Sequence, residues 1–583
     1  MFDLNSPNKL TINNKASVFF IFCLVVVHFL KVYDYSVFVK PVIIFSLLTS
    51  IIYWYQFVLN YDEIVSITSD WKRNIEFDKL SSTMAHKNLL SSIQFLCLPF
   101  LFYAFFRNKN YVKWFALFSV VLILATYLQT QTRAVLFASF ISICSFTFLH
   151  LKDIKLKHFI YTSLFLIIFL FSGYLFMKST DRIDTLKSEI ERTFEFSSSS
   201  RYRMYKSTLN LIYDSPILGV GPSQWKIDVW KYDLYFNTWG DSFAQRPHND
   251  FLWIGAEAGI IACLSYIIIF LILIRDSYFL YIKNRKNNLM FSLLLSTVIG
   301  YGFISMVDFP LERFAHNILF FTIASIIIAE KLKIKNNFKS KFSNLGMYFL
   351  LVFCIYIANI AFIRYNSDVH ATNAVYYKNK GNWNYVIKAI DKAYNQKYYQ
   401  IDNVSTPLLW YKGIAYFNQN KFNLAFDNFK RAYEIHPFHV HVLNNLATLY
   451  EINKNSLKAK KYYKDALKVN PSFKEVRVNL AAILFNEKKY NEALDVILQS
   501  KVDPFWKRKQ NNDNYDLYLK TIVLKWANTI KLNSSLEERK ILDKYIQKFN
   551  KFPKLPDKIM RKVYEKRHLL EESYLNSLIL IDK

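Results

Sequence analysis

Glycine is scarce in this chain, 11 residues in 583, and no glycine-rich segment opens a helix in the way that cradles a phosphate. Cysteine is scarcer. All five (Cys23, Cys97, Cys144, Cys263, Cys354) lie in apolar runs. A thiol there packs as a small hydrophobe, so neither a disulfide framework nor a cysteine metal site is expected. No zinc spacing, nucleophile elbow or Ser-His-Asp order is present. The sequence therefore implies no metal and no cofactor. Acid is short against base: 45 Asp and Glu face 74 Lys and Arg, a formal net charge of +29. Such an excess can mark nucleic-acid binding. Here many bases stand in short loops between apolar runs, and those of the tail alternate with acids and Tyr at helical spacing. Both patterns argue against a nucleic-acid partner.

What is abundant is apolar residue, 52% of the chain, and it is crowded before residue 364. Runs long enough to cross a bilayer fall near 16–30, 41–59, 88–106, 114–129, 134–149, 159–177, 250–274, 289–309, 314–330 and 346–363. The first run is followed by Lys31 and by no small-residue cleavage site, so it reads as a span rather than a removable signal. The expected fold is all-α: a polytopic bundle of about ten spans over 1–364, then a soluble helical region.

Orientation follows from Lys and Arg. The loops at 107–113, 152–157, 275–288 and 331–345 are basic and nearly free of acid, which puts them in the cytoplasm. The loops at 60–87, 130–133, 178–249 and 310–313 and everything after 364 then face outside. The longest of these, 178–249, is of a size that usually has structure or function of its own.

The tail repeats itself. Gly413, Ala447 and Ala481 are 34 residues apart, and so are Ala425, Ala459 and Ala493, and Phe429, Tyr463 and Ile497. Small residues at such offsets let paired helices pack closely, and 34 is the period of tetratricopeptide repeats. A less regular unit at 371–402 carries Trp383 and Ala393 in the matching places. The array, 365–500, is expected to form a curved α-solenoid that binds a protein partner or the acceptor and carries no catalysis. Residues 501–583 read as a helical extension.

Candidate chemistry gathers at the outer ends of the spans. The stretch Arg246-Pro247-His248-Asn249-Asp250 closes the long loop and opens the next span. Pro247 suits the lead-in to a helix, and Asn249 and Asp250 suit its cap. Glu257 and Gly259 interrupt that helix, and a carboxylate inside an apolar helix must face protein or water. Arg133 follows a short polar turn, Gln129-Thr130-Gln131-Thr132. Arg201 and Arg203 stand in the long loop, and His86 and Asn88 open the third span. Two guanidiniums can hold a pyrophosphate through forked hydrogen bonds. A nearby imidazole can take a proton from a hydroxyl near neutral pH. Taken singly, Arg133 can snorkel to lipid headgroups, Arg201 can be a solvated loop base, and His248, His86 and Asn88 can be simple helix starts.

As a set, Arg201, Tyr205, Asp214, Pro216, Gly219, Gly221, His248, Asn249 and Leu252 resemble, in order, the motifs of the O-antigen ligase and polymerase family of bacterial membrane glycosyltransferases. The resemblance covers about 83–330, with Thr132-Arg133 where the family has a Ser-Arg-like turn and Ala262 where a second glycine is usual. It implies a glycan donor on undecaprenyl pyrophosphate and a glycolipid, glycan or protein hydroxyl as acceptor. It implies transfer on the periplasmic face of the inner membrane, without nucleotide sugar or metal. It puts Arg133 and Arg201 near the pyrophosphate, makes His248 the base, and leaves Arg203, Asn249, Glu257, His86 and Asn88 in support. The tail is similar to the tetratricopeptide appendage of some members. A ligase is favoured because an array suits a large acceptor. A repeat-unit polymerase of the same family, and a membrane-anchored scaffold without activity, stand as the alternatives.

Overall fold

The computed structural model describes residues 22–66, 76–151, 200–232, 245–283, 288–334 and 344–496, apart from isolated positions within them. The expected span at 159–177, residues 178–199 of the long loop and the extension 501–583 lie outside the described residues. The described chain is helical, with two isolated β-bridges near 395–407 and no strand. It divides into two units. One comprises Asn8–Trp225 with Arg246–Asn359, the other Lys226–Gln245 with Ile360–Lys583.

The first unit is a bundle of α1 (Val39–Val65), α2 (Lys87–Arg107), α3 (Tyr111–Thr130), α4 (Arg133–Leu149), α6 (Asp250–Lys283), α7 (Asn288–Val307) and α8 (Phe314–Ile334), with α5 (Ser200–Asp214) packed on α6. Five of these, α1, α2, α3, α6 and α7, are long and apolar enough to cross a membrane. α2 and α7 are the most enclosed: Leu90, Ile93, Cys97, Phe100 and Met290, Phe291, Leu294 are fully buried. On α6 the opposite holds. Ile261, Leu264, Ile268 and Leu271 are exposed at helical spacing, an apolar stripe that only lipid would cover without cost.

Between the helices, small and polar residues do the joining, as expected where lipid removes the hydrophobic drive for association. Gln94 Nε2 donates to Ser50 Oγ at 3.0 Å, and Ser142 Oγ donates to the Ser296 carbonyl at 2.8 Å. Nearby, a Cβ on Gly300 would stand 2.3 Å from Ser142 Oγ, which is why α4 and α7 can approach so closely there. The sequence ends the 250 helix at 274, but α6 runs to Lys283. The reason is Asp276: Arg275 and Lys331 donate to it at 2.8 and 2.5 Å, so the charged turn stays helical.

The second unit stacks helices in pairs. It takes the part of α9 (Asn344–Asn379) from Ile360 on, followed by α10 (Trp383–Ala393), α11 (Leu408–Asn418), α12 (Phe422–Ile435), α13 (Val440–Ile452), α14 (Ser456–Val469) and α15 (Lys474–Asn486). The small-residue columns have the expected use. A Cβ on Gly413 would lie 2.5 Å from the Phe429 ring, and Ala425, Phe429, Ala447, Ala459 and Tyr463 are fully buried. Neighbouring pairs are joined at regular intervals: Trp410 Nε1 donates to Asn445 at 2.9 Å, and Asn479 Nδ2 to Asn444 at 3.2 Å.

His436 and His439 are buried between α12 and α13. Burial, with a smaller contribution from the Lys226 charge, pushes His436 down to about 3. Burial and the neighbouring imidazoles lower His439 in the same sense. Both are therefore neutral in the fold, while in the unfolded chain they protonate below about 6.5. Stability is complete above that pH and falls as pH drops from there toward the folded values. The slope approaches about 1.4 kcal/mol per pH unit for each histidine. We expect the protection of amides in 422–452 of the full-length protein, referred to their intrinsic exchange rate at each pH, to fall between pH 7.5 and 5.5, and His436→Gln to flatten the response. A pH-independent rate of opening would contradict it.

Candidate active site

The site is built on a broken helix. Gly259, at φ 86° and ψ 171°, interrupts α6 and frees backbone groups that a continuous helix would pair. The Asp214-Ser215-Pro216-Ile217-Leu218-Gly219-Val220-Gly221 turn after α5 supplies the partners. Val220 N–H donates to the Ala256 carbonyl at 2.9 Å, Gly221 N–H to the Glu257 carbonyl at 3.0 Å, and Ile260 N–H to the Pro216 carbonyl at 2.7 Å. No side chain fits between the two strands of backbone. A Cβ on Gly259 would lie 1.9 Å from the Ile217 carbonyl oxygen, and one on Gly219 2.5 Å from Glu257. Glu257, buried as expected, accepts the Trp225 N–H at 3.3 Å, and Trp225 Nε1 donates to Thr208 on α5 at 2.9 Å. Turn, helix break and α5 are thus one rigid block.

That block carries His248. Asn249 caps α6, its Oδ1 accepting the Leu252 N–H at 2.9 Å. His248 takes a left-handed φ of +54°, and the Tyr205 hydroxyl donates to its carbonyl at 2.9 Å. Arg201 stands one helical turn before Tyr205 on α5 and acts on it electrostatically. Burial raises the Tyr205 phenol, and Arg201 opposes that. The imidazole Nδ1 lies 3.8 Å from Asp308 Oδ1, in the turn between α7 and α8, and its ring meets Phe309 edge-on at 4.8 Å. Phe309 is a shared platform: the Arg246 and Arg313 guanidiniums also lie over it, at 4.7 and 5.7 Å. Arg246 in turn pairs with Glu312 at 2.5 Å. Burial lowers its pKa, and Glu312 opposes the shift.

Arg133 sits elsewhere on the same unit, exposed at the first turn of α4. A cation at a helix N-terminus opposes the helix dipole, so a bound anion would be favoured by both. The preceding Thr132 bonds Ser91 on α2 at 3.1 Å and Thr130 at 3.2 Å. Next to Ser91, Ser92 meets the buried His316 of α8 at 2.8 Å. Asp308 is near enough to act on His316 as well. Thr132 is thus bonded to Ser91 and Ser92 to His316, with Asp308 acting electrostatically on His316, all within one unit. His86 caps α2, its Nδ1 accepting the Asn88 N–H at 3.1 Å. Arg203 is half-buried on α5.

Sequence reasoning missed Asp308, Arg313 and His316. Each carries a faint signal: an acid or a base in a short turn between spans, or a histidine inside an apolar run. Nothing local ties them to His248.

Residues 117–267 match the O-antigen ligase family. A second stretch, 440–473, matches a tetratricopeptide repeat. The chain thus carries an O-antigen ligase domain with C-terminal tetratricopeptide repeats, in a multi-pass membrane protein. The ligase match spans α4, α5 and the broken part of α6, so it includes Arg133, Arg201, His248, Glu257 and Gly259. It stops before Asp308 and Arg313. No curated protein matches the chain. Among solved structures, a MamA mutant is similar at 16% identity and a TM-score of 0.21, covering 28% of this chain and 86% of its own. The O-antigen ligase match implies a glycosyl-transfer activity of the O-antigen type for this domain.

Proposed function

We propose that the protein transfers a glycan from a polyprenyl (undecaprenyl) pyrophosphate to a hydroxyl acceptor, on the periplasmic face of the inner membrane. The observation that carries this is the His248–Asp308 pair, beside cationic side chains at the mouth of α6. In the reaction His248 removes the acceptor proton through Nε2, because Nδ1 faces Asp308. The acceptor oxygen forms its bond to the anomeric carbon as the bond from that carbon to the pyrophosphate breaks. The electron pair leaves with the polyprenyl pyrophosphate. Asp308 holds the imidazole in one orientation and stabilises the imidazolium. A single displacement of this kind inverts the anomeric centre. Arg201 and Arg133 hold the pyrophosphate, and Arg313 adds a cation beside Phe309. The side of the membrane is supported by the basic loops and by contacts of the long loop with the tail. Lys226 and Gln245, from the long loop, interact with the repeats, as loop and tail on one side require.

Arg133→Ala and Arg201→Ala should each lower kcat/KM roughly 10- to 100-fold through weaker donor binding, the size of a lost charged hydrogen bond. Lys should restore only part, because it lacks the planar fork. The assay is transfer from purified lipid-pyrophosphate glycan by solubilised protein, with donor binding measured in parallel. Parent-like donor affinity in both variants would contradict the reading.

A further inference from the structure

Three basic side chains of the first unit share one aromatic ring. The His248 imidazole meets Phe309 edge-on at 4.8 Å, and the guanidinium carbons of Arg246 and Arg313 lie over the same ring at 4.7 and 5.7 Å. The acids beside them are divided unequally. Asp308 faces His248 Nδ1 at 3.8 Å, and Glu312 pairs with Arg246 at 2.5 Å. Among the described residues no carboxylate stands within ion-pair distance of Arg313, although Glu312 is its neighbour in sequence.

Both guanidiniums also keep a donor in reserve. The Nε atoms of Arg246 and Arg313 are buried, and neither finds a hydrogen-bond acceptor among the described residues. A charged N–H removed from water without an acceptor is costly, and an anion seated between the two forks would relieve that cost at both. Stacking on Phe309 fixes the planes of the forks in advance of any ligand.

The chemistry of the displacement says which substrate brings the anion. The attacking and leaving oxygens stand on opposite sides of the anomeric carbon, and the base touches the attacking one. Groups that share the base's own ring contact therefore lie on the acceptor side. The leaving pyrophosphate is provided for by Arg133 and Arg201, on α4 and α5.

We infer that Arg313 and Arg246 form an anion subsite for the acceptor, which is a sugar carrying a carboxylate or phosphate group near the hydroxyl that is glycosylated. The inference rests on His248 acting as the base, and it deepens that reading by naming the acceptor class. Arg313 supplies the uncompensated charge, and Arg246 a second donor.

The test is direct binding to the full-length protein in detergent, followed by ligand NMR, so that it needs no turnover. The probes are methyl glucuronide, methyl glucoside 6-phosphate and the neutral methyl glucoside. We expect both anionic glycosides to bind at least about 10-fold more tightly than the neutral one, the size of one charged hydrogen bond. Their order tells carboxylate from phosphate. Arg313→Gln keeps a long polar side chain over Phe309 but removes the charge, and should abolish the preference. Arg313→Lys should keep part of it. Farnesyl pyrophosphate, standing for the head of the donor, should bind alongside the anionic glycosides without displacing them, and equally well to Arg313→Gln. Equal binding of anionic and neutral glycosides by the parent would overturn the inference. So would an undiminished preference in Arg313→Gln, or displacement of the glycosides by farnesyl pyrophosphate, which would give these arginines to the donor. His248→Ala separates the two ideas: transfer by that variant, with the preference intact, would count against the base and not against the subsite.

Discussion

Replacing His248 by Ala slows glycan transfer about 10²–10⁴-fold, the usual worth of general-base help. The loss falls on kcat, and donor affinity stays near that of the parent, because a neutral imidazole contributes little to holding a pyrophosphate. His248→Gln does not rescue, since an amide takes no proton. Asp308→Asn keeps the size of the side chain 3.8 Å from Nδ1 but removes the charge that stabilises the imidazolium. Its rate falls less than that of His248→Ala, and the double variant is no slower than His248→Ala alone, because the carboxylate acts through the imidazole. Transfer kinetics on solubilised variants of equal expression check all three. Parent activity in His248→Ala, or additive losses in the double variant, would contradict the assignment.

The second large effect is structural. Gly259→Ala places a Cβ where the Ile217 carbonyl oxygen already stands, 1.9 Å away, on a residue at φ 86° and ψ 171°. That backbone region belongs almost wholly to glycine and costs an alanine about 1–3 kcal/mol before any clash. The clash cannot relax locally, because both partners are backbone. The 214–221 turn must move off α6, and with it α5 and Tyr205, which holds the His248 carbonyl. A shift of about 1 Å in catalytic geometry costs on the order of 10²-fold in rate. We expect Gly259→Ala to lower both the melting temperature in detergent and the transfer rate. Gly381→Ala is the control. Its φ is +71°, but nothing lies within 4 Å of the added Cβ, so it should show only the local strain and leave transfer intact. A Gly259→Ala protein as stable and active as the parent would show that the helix break does not hold the site.

The parts of this architecture that were legible in the sequence are those fixed by local rules. Gly259 and Glu257 marked the break in α6 because each is expensive in an apolar helix. The 34-residue columns were legible because a small residue at Gly413 is demanded by the Phe429 ring. His248 and Asn249 were legible as a helix start with an ionisable group. What escaped depends on partners distant along the chain. Tyr205 reaches the His248 carbonyl across 43 residues, and Arg246 reaches Glu312 across 66. Asp308 falls inside the expected span 289–309 and drew no notice, and only the packing of α7 beside α6 brings it to the imidazole. His316 was hidden for the same reason: its partner Ser92 is 224 residues away. The length of α6 was misjudged because hydropathy ends at Ile274, while the Asp276 ion pairs carry the helix on to Lys283.

The central claim is tested most directly by following both products in one reconstituted reaction. The full-length protein in proteoliposomes would be given a purified polyprenyl-pyrophosphate glycan and a hydroxyl acceptor, with no nucleotide sugar. The account predicts that each glycan appearing on the acceptor, with its anomeric configuration inverted, is matched by one free polyprenyl pyrophosphate. A glycan that lengthens while still attached to the lipid pyrophosphate, or no release at all from folded protein, would contradict it.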